Sequence, residues 1–298
     1  MTTNYAFKAE AASAAPTDEL AFKSAMRTQW DAAAPGWNAH TPMIRAWLGQ
    51  ATEAMLSMAC VAPGMRVLDV AAGTGDQTLA IAERVGPQGC VLATDLSPAI
   101  VSLAEHNASI AGFVNVKARV ADGENLQVEA QSFDAAICRL GLMFFPDPLR
   151  GLREMHQALR PAGRACTLVF SSPQNNPCLA ILMSTALKHA RQEPRDPYLP
   201  GGLLSLGRSG LIDELFRAAG FHDVATTAID APFRLPSVES YIEFVRSSAS
   251  PIQQILGPLD PLAAQAAWDE IRDRLSVFAT PQGWEGPNEL LLTAGRRE

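Results

Sequence analysis

Val67-Leu-Asp-Val-Ala-Ala-Gly-Thr-Gly-Asp-Gln-Thr78 is the stretch from which the fold follows. Val67 to Val70 form a short apolar run between Pro63-Gly64 and a glycine-rich turn, the pattern of a buried strand. Asp76-Gln-Thr78 then opens an apolar repeat at helical spacing, Leu79, Ala82 and Val85, which stops at Gly86-Pro87. Strand, glycine turn and helix make the opening unit of a nucleotide-binding α/β sheet. Gly73 and Gly75 carry no Cβ, so the backbone can turn tightly there and a ligand can approach it closely.

Two glycines are a weak signal alone. Asp95 strengthens them: it ends the next apolar run, Cys90-Val-Leu-Ala-Thr-Asp95, 20 residues beyond Gly75. Doubly wound folds place an acid there to hold a ribose diol, although a loop or capping acid is the simpler use of an aspartate. The turn also bears on which nucleotide binds. A dinucleotide fingerprint wants a third glycine where this chain has Thr78, and Asp76 stands where a pyrophosphate would sit. Asp69 adds a second carboxylate at the sheet's rim. A ligand bearing ammonium and sulfonium charges suits such an acidic mouth better than one bearing phosphates, which points to S-adenosylmethionine.

On these residues the chain resembles the class I S-adenosylmethionine-dependent methyltransferases. Leu68-Asp-Val-Ala-Ala-Gly-Thr-Gly-Asp76 is most similar to the ubiquinone/menaquinone-biosynthesis C-methyltransferase type. The resemblance spans about residues 25–230 and is strong over 65–170. It implies a doubly wound, seven-stranded, mostly parallel sheet with an antiparallel last strand, an N-terminal helical lid and helical insertions. The implied cofactor-binding set is Asp69, Ala71, Gly73, Thr74, Gly75, Asp95, Leu96, Ala121, Asp122, Gly123, Arg139 and Leu140. S-adenosylmethionine is the implied cofactor, and S-adenosylhomocysteine its product.

The rest of the chain supplies the expected partners of that turn. Residues 1–16 are small and unpatterned and read as a disordered tail, followed by a helical lid over 17–62 and a main domain over 63–298. The lid holds one helix from Asp18 to Ala33, ending before Pro35-Gly36, and a second from Thr41-Pro42. In the resembled family such elements help cover the cofactor, so Trp37 and His40 are candidate pocket residues, whereas Trp30 reads as core. Val114 to Val120 alternate as a strand that delivers Ala121-Asp122-Gly123 to the ligand edge. The family look-alike uses an acid there to accept the adenine amine, and a carboxylate is chemically suited to that donor; an Asp-Gly turn is the bland alternative. Ser132 to Leu140 is a nearly continuous apolar strand ending in Arg139 and Leu140. Arg139 faces either an acidic group of the acceptor or a neighbouring carboxylate. Met143 and Phe144, in the apolar loop that follows, belong to a substrate pocket or to plain core. Ala162 replaces a glycine that the family usually carries in the turn after the next helix. Two insertions, at about 171–210 and 231–285, read as helical, and Glu289 to Thr293 as the reversed strand.

Composition narrows the function further. The 298 residues carry 24 basic and 31 acidic side chains, a net charge of −7, with no basic block of the kind nucleic-acid surfaces show. No apolar run reaches the roughly 18–20 residues of a membrane span. Cys60, Cys90, Cys138, Cys166 and Cys178 are odd in number and lack paired metal spacing, so no metal site is expected and a reducing cytoplasm is the natural location. Methyl transfer from a sulfonium is an in-line displacement that needs positioning more than a nucleophilic side chain. If the acceptor, expected to be small and partly apolar, requires a base, His40 and His189 are the candidates. An NAD(P)-dependent oxidoreductase and a non-catalytic S-adenosylmethionine-binding module are the alternatives. Monomer and homodimer are equally compatible with the sequence.

Overall fold

The computed structural model describes residues 16–248 and 250–298. Apart from Pro16, the tail read over residues 1–16 lies outside the described residues. Two helices, α1 (Pro16–Ala39) and α2 (Thr41–Met58), precede strand β1 (Arg66–Val70). Helix and strand then alternate through α3 (Asp76–Val85), β2 (Cys90–Asp95), α4 (Pro98–Ile110) and β3 (Val116–Val120). Strand β4 (Phe133–Arg139) leads through α5 (Pro148–Ala158) into β5 (Leu159–Phe170). After α6 (Pro177–His189) and α7 (Leu211–Ala218) come β6 (His222–Asp230) and β7 (Phe233–Leu235). The chain closes with α8 (Val238–Ser248), α9 (Ser250–Leu256), α10 (Pro261–Leu275), β8 (Ala279–Thr280), β9 (Gly283–Gly286) and β10 (Glu289–Arg296).

The main sheet has seven strands in the order β3-β2-β1-β4-β5-β10-β6. Its first four pairings are parallel, and β10 runs antiparallel between β5 and β6, from Leu290 opposite Phe170 to Arg296 opposite Arg164. This is the doubly wound, mostly parallel sheet with a reversed last strand expected above. Strands at its centre read as apolar runs because both faces are covered: Val67, Leu68, Ala135, Ala136 and Ile137 are fully buried. Each such branched side chain contributes about 1.5–3 kcal/mol on leaving water. Helix starts follow the local chemistry, with Ser97, Asp147 and Asp260 each accepting an N–H in the first turn of the helix that follows.

Two expectations need correction. The first lid helix does not stop before Pro35: α1 runs on to Ala39 with Pro35 inside it. Gly36 is there for close approach, not for helix breaking, since a Cβ on it would lie 2.0 Å from the Ser247 carbonyl oxygen of α8. Asp31 also ties α1 down, accepting from Ser97 Oγ at 2.5 Å and from Ala99 N at 3.2 Å. The second insertion is not purely helical. It contains a small antiparallel sheet, β7-β9-β8, whose strands of two to four residues are too short to show a period. Its Trp284 is buried, donates from Nε1 to Leu275 O at 2.8 Å, and stacks on Tyr241 at 4.8 Å. Helix α6 packs on α9 and α10, and α1 packs on α8, so lid and insertions meet above the carboxyl edge of the sheet.

Candidate cofactor and acceptor site

The strand tips meet those helices around a cleft of about 1500 Å³, its open mouth included. The backbone is shaped for it. Ala71 (φ 54°) and Leu140 (φ 55°), just past β1 and β4, both adopt left-handed conformations at a cost of about 1–2 kcal/mol each. They come so close that a Cβ on Gly141 would meet the Ala71 Cβ at 2.4 Å. Gly73 is also left-handed, at φ 59°, and a Cβ added there would stand 3.5 Å from Trp37 Nε1. The indole of α1 therefore lies directly over the glycine turn.

Two aspartates from successive strand tips face the cleft. Asp95 accepts from Gly73 N at 3.1 Å and Ser97 N at 3.0 Å, so one carboxylate ties the ends of β1 and β2 together. Burial pushes its carboxyl up to about 6 against the pull of those N–H donors. Asp122 follows β3 and accepts from Glu124 N at 2.9 Å through Oδ1 and from Lys23 Nζ at 2.8 Å through Oδ2. Ala71, Leu96, Ala121, Arg139, Leu140, Trp37, Met143 and Phe144 share the same wall.

The remaining sequence-derived residues lie elsewhere. Asp69 is fully buried beneath the turn, where Gln77 Nε2 and Thr78 Oγ1 (2.6 Å) donate to it. Burial pushes its carboxyl up to about 7 even against those two donors. Its work is to hold the turn, and Thr78 replaces a third glycine because its hydroxyl serves that bond. Thr74, 2% exposed, gives its carbonyl to Asn107 Nδ2 at 2.8 Å. Gly75 abuts Ala104, and a Cβ on Gly123 would strike the Phe145 ring at 2.2 Å; neither lines the cleft. His40 sits outside it with Nδ1 on Gly36 O at 2.8 Å, and His189 pairs with Glu270 at 2.9 Å on the far side of α6. Trp30, read as core, is instead part of the wall, edge-on to Phe144 at 5.4 Å.

Charge in the mouth also differs from the expectation. Asp76 does not present a free carboxylate: Arg45 Nε reaches Oδ1 and Arg139 Nη2 reaches Oδ2, both at 2.9 Å. Arg139 completes its bonding on Thr52 Oγ1 at 2.7 Å. Repulsion from Asp76 therefore says little against phosphates, and Arg139 takes the neighbouring-carboxylate alternative. The acids left facing the cleft are Asp95, Asp122 and Glu124, with Lys23 among them.

Several wall residues carried no sequence signal. Lys23 reads as a solvated helix residue. Trp47, Phe170, Phe233, Tyr241 and Phe244 read as core, and they do pack together, with Trp47 stacked on Phe233 at 3.9 Å. One edge of that cluster nevertheless faces the cleft. The cluster is assembled from α2, the end of β5 and the second insertion, which no local pattern connects.

A turn, two strand-tip carboxylates and a reversed last strand define the class I methyltransferase architecture. Comparison with known proteins agrees. A model of the ubiE/COQ5 methyltransferase family matches residues 45–186. The ubiquinone/menaquinone biosynthesis C-methyltransferase UbiE of Bordetella parapertussis is 37% identical over 116 residues, covering 39% of this chain and 45% of that protein. The chain thus spans somewhat under half the length of the quinone-pathway relative it matches. Nocamycin O-methyltransferase of Saccharothrix syringae is 30% identical over 223 residues, covering 71% of this chain and 78% of the relative. The crystal structure of YcgJ from Bacillus subtilis shares the fold, with a TM-score of 0.57 at 19% identity over 84% of this chain and 99% of that one. The chain belongs to the class I S-adenosylmethionine-dependent methyltransferases. Among the described residues, no helix is long and apolar enough to cross a membrane.

Proposed function

We propose that the protein transfers a methyl group from S-adenosylmethionine to a small, flat, largely apolar acceptor. The observation that carries this reading is the meeting of two chemistries in one cleft. Asp95, Asp122 and the glycine turn line it together with the rings of Trp47, Phe170, Phe233, Tyr241 and Phe244. The residues fit the cofactor: Gly73 lines the cleft without a Cβ, Asp95 suits a ribose diol, and Asp122 suits an exocyclic amine. Bound there, S-adenosylmethionine supplies a methyl group already activated by its sulfonium.

The chain's own part is to bind, orient and exclude water. Strained backbone at Ala71 and Leu140 brings the tips of β1 and β4 together beside the turn. Aromatic walls hold a flat acceptor in attack geometry, and such positioning can supply about 7–11 kcal/mol. Among the described residues no histidine lines the cleft, which favours an acceptor that reacts without a histidine base. The cleft's walls would hold the acceptor's nucleophilic atom in line with that methyl group, and S-adenosylhomocysteine would be the leaving group. A flat acceptor is consistent with relatives named for ubiquinone, menaquinone and nocamycin. Buried free thiols at Cys138, Cys166 and Cys178 are consistent with work in a reducing compartment.

Incubation with methyl-labelled cofactor and an extract of the native cell tests this directly. Label should appear in a small organic metabolite. Tight S-adenosylhomocysteine binding with no transfer to any metabolite would instead assign a non-catalytic module.

A further inference from the structure

Helix α1 contributes one charged side chain to the cleft, Lys23, and its surroundings are unusual. Its ammonium donates to Asp122 at 2.8 Å and is paired with Glu19 at 2.8 Å and with Glu124, with only 13% of the side chain exposed. Burial works to lower its pKa, but the interactions with Asp122, Glu124 and Glu19 outweigh this and hold it protonated. Glu124 is 1% exposed, and its other oxygen accepts from Asp147 N at 2.6 Å. Withdrawing Lys23 would strand that carboxylate as an uncompensated buried charge, so the ammonium stays when a ligand enters.

Asp122 is placed differently. Its Oδ1 is taken by the Glu124 N–H, which leaves Oδ2 as the oxygen open to a ligand, and Oδ2 is the atom Lys23 already touches. An amine delivered to Oδ2 therefore arrives beside the ammonium. On adenine the exocyclic amine is flanked by ring nitrogens, N1 and N7, that only accept. A carboxylate next to an ammonium matches that edge, acceptor to donor and donor to acceptor.

We propose that Lys23 is an adenine-positioning residue, keeping its ion pairs with Glu19 and Glu124 while a proton turns from Asp122 to a ring nitrogen beside the amine. This rests on the cofactor reading given above, and it makes the lid part of base recognition as well as a cover.

Titration calorimetry of the full chain with S-adenosylhomocysteine and its 1-deaza and 7-deaza analogues provides the test. Wild type should bind one analogue at least tenfold more weakly than S-adenosylhomocysteine, and Lys23→Met should bind those two ligands equally. A second variant, Lys23→Met with Glu124→Gln, leaves no unpaired buried charge and covers the case in which the single variant does not fold. The proposal is overturned if both analogues match S-adenosylhomocysteine on wild type. It is equally overturned if Lys23→Met weakens all three ligands by one common factor, which is what a purely structural lid contact would give. Failure of wild type to bind S-adenosylhomocysteine at all would instead contradict the cofactor reading.

Discussion

Asp95 and Asp69 show how one residue type takes two roles from two environments. Asp95 faces the cleft with its pKa near 6, so its charge forms over the pH range in which a cofactor would be measured. Ribose hydroxyls donate best to the ionised form, so S-adenosylhomocysteine affinity should rise between pH 5 and 7. Asp95→Asn should flatten that rise and weaken binding at pH 7.5 by about tenfold, the size of one charge-assisted bond. Asp69 is fully buried and is not part of the cleft's lining. Its folded-state pKa, about 7, lies above the ordinary 3.8, so its contribution to stability is fully present below pH 4 and is lost as pH rises through 7. Urea unfolding of wild type and Asp69→Asn across that window should show a steeper loss of stability with pH in wild type than in the variant, which keeps the slope due to Asp95. The arginines on Asp76 make a second contrast. Arg139 is 5% exposed at its side chain and Arg45 59%. Arg139→Leu should cost about 3–5 kcal/mol in urea unfolding and Arg45→Ala less than about 1 kcal/mol, because water compensates only the second.

Elements were legible in proportion to their periodicity. The strand–turn–helix from Val67, the buried strand ending at Arg139 and the reversed strand at Glu289 all announce themselves, because buried parallel strands are apolar runs and their caps are typed. The small sheet is not legible, since two to four residues show no alternation. Nor is the passage of α1 through Pro35, which depends on what α8 offers Gly36. That contact predicts a clear difference between two helical glycines. Gly36→Ala would drive a methyl into the Ser247 carbonyl, whereas a Cβ on Gly49 meets nothing within 4 Å. Gly36→Ala should destabilise by about 1–3 kcal/mol and speed tryptic cleavage at Arg27, and Gly49→Ala should stabilise by about 0.5–1 kcal/mol. Ala162, where the family usually has glycine, keeps the turn by accepting φ 66°. The departure costs strain without altering chemistry.

Across the whole molecule, the sheet holds its acids at one edge, and the lid and insertions close over them. Asp95 and Asp122 could be placed from sequence because strand order fixes where strand tips lie. Lys23 and Tyr241 could not, because they reach the cleft by folding of segments that carry no ligand-binding pattern. His40 and His189 lie outside the cleft's lining for the same reason in reverse: a titratable side chain in the first helices or an insertion says nothing about which way it faces. What the cleft offers is therefore a mixed lining of acids and aromatic rings, with Lys23 and Trp37 of the first helix among them. The most direct measurement of that account is calorimetric titration of wild type, Asp95→Ala and Asp122→Ala with S-adenosylhomocysteine and, separately, NADH. The account predicts saturable S-adenosylhomocysteine binding to wild type, a loss of about tenfold or more in each variant, and no heat from NADH. Tight NADH binding, or S-adenosylhomocysteine binding indifferent to both aspartates, would contradict it.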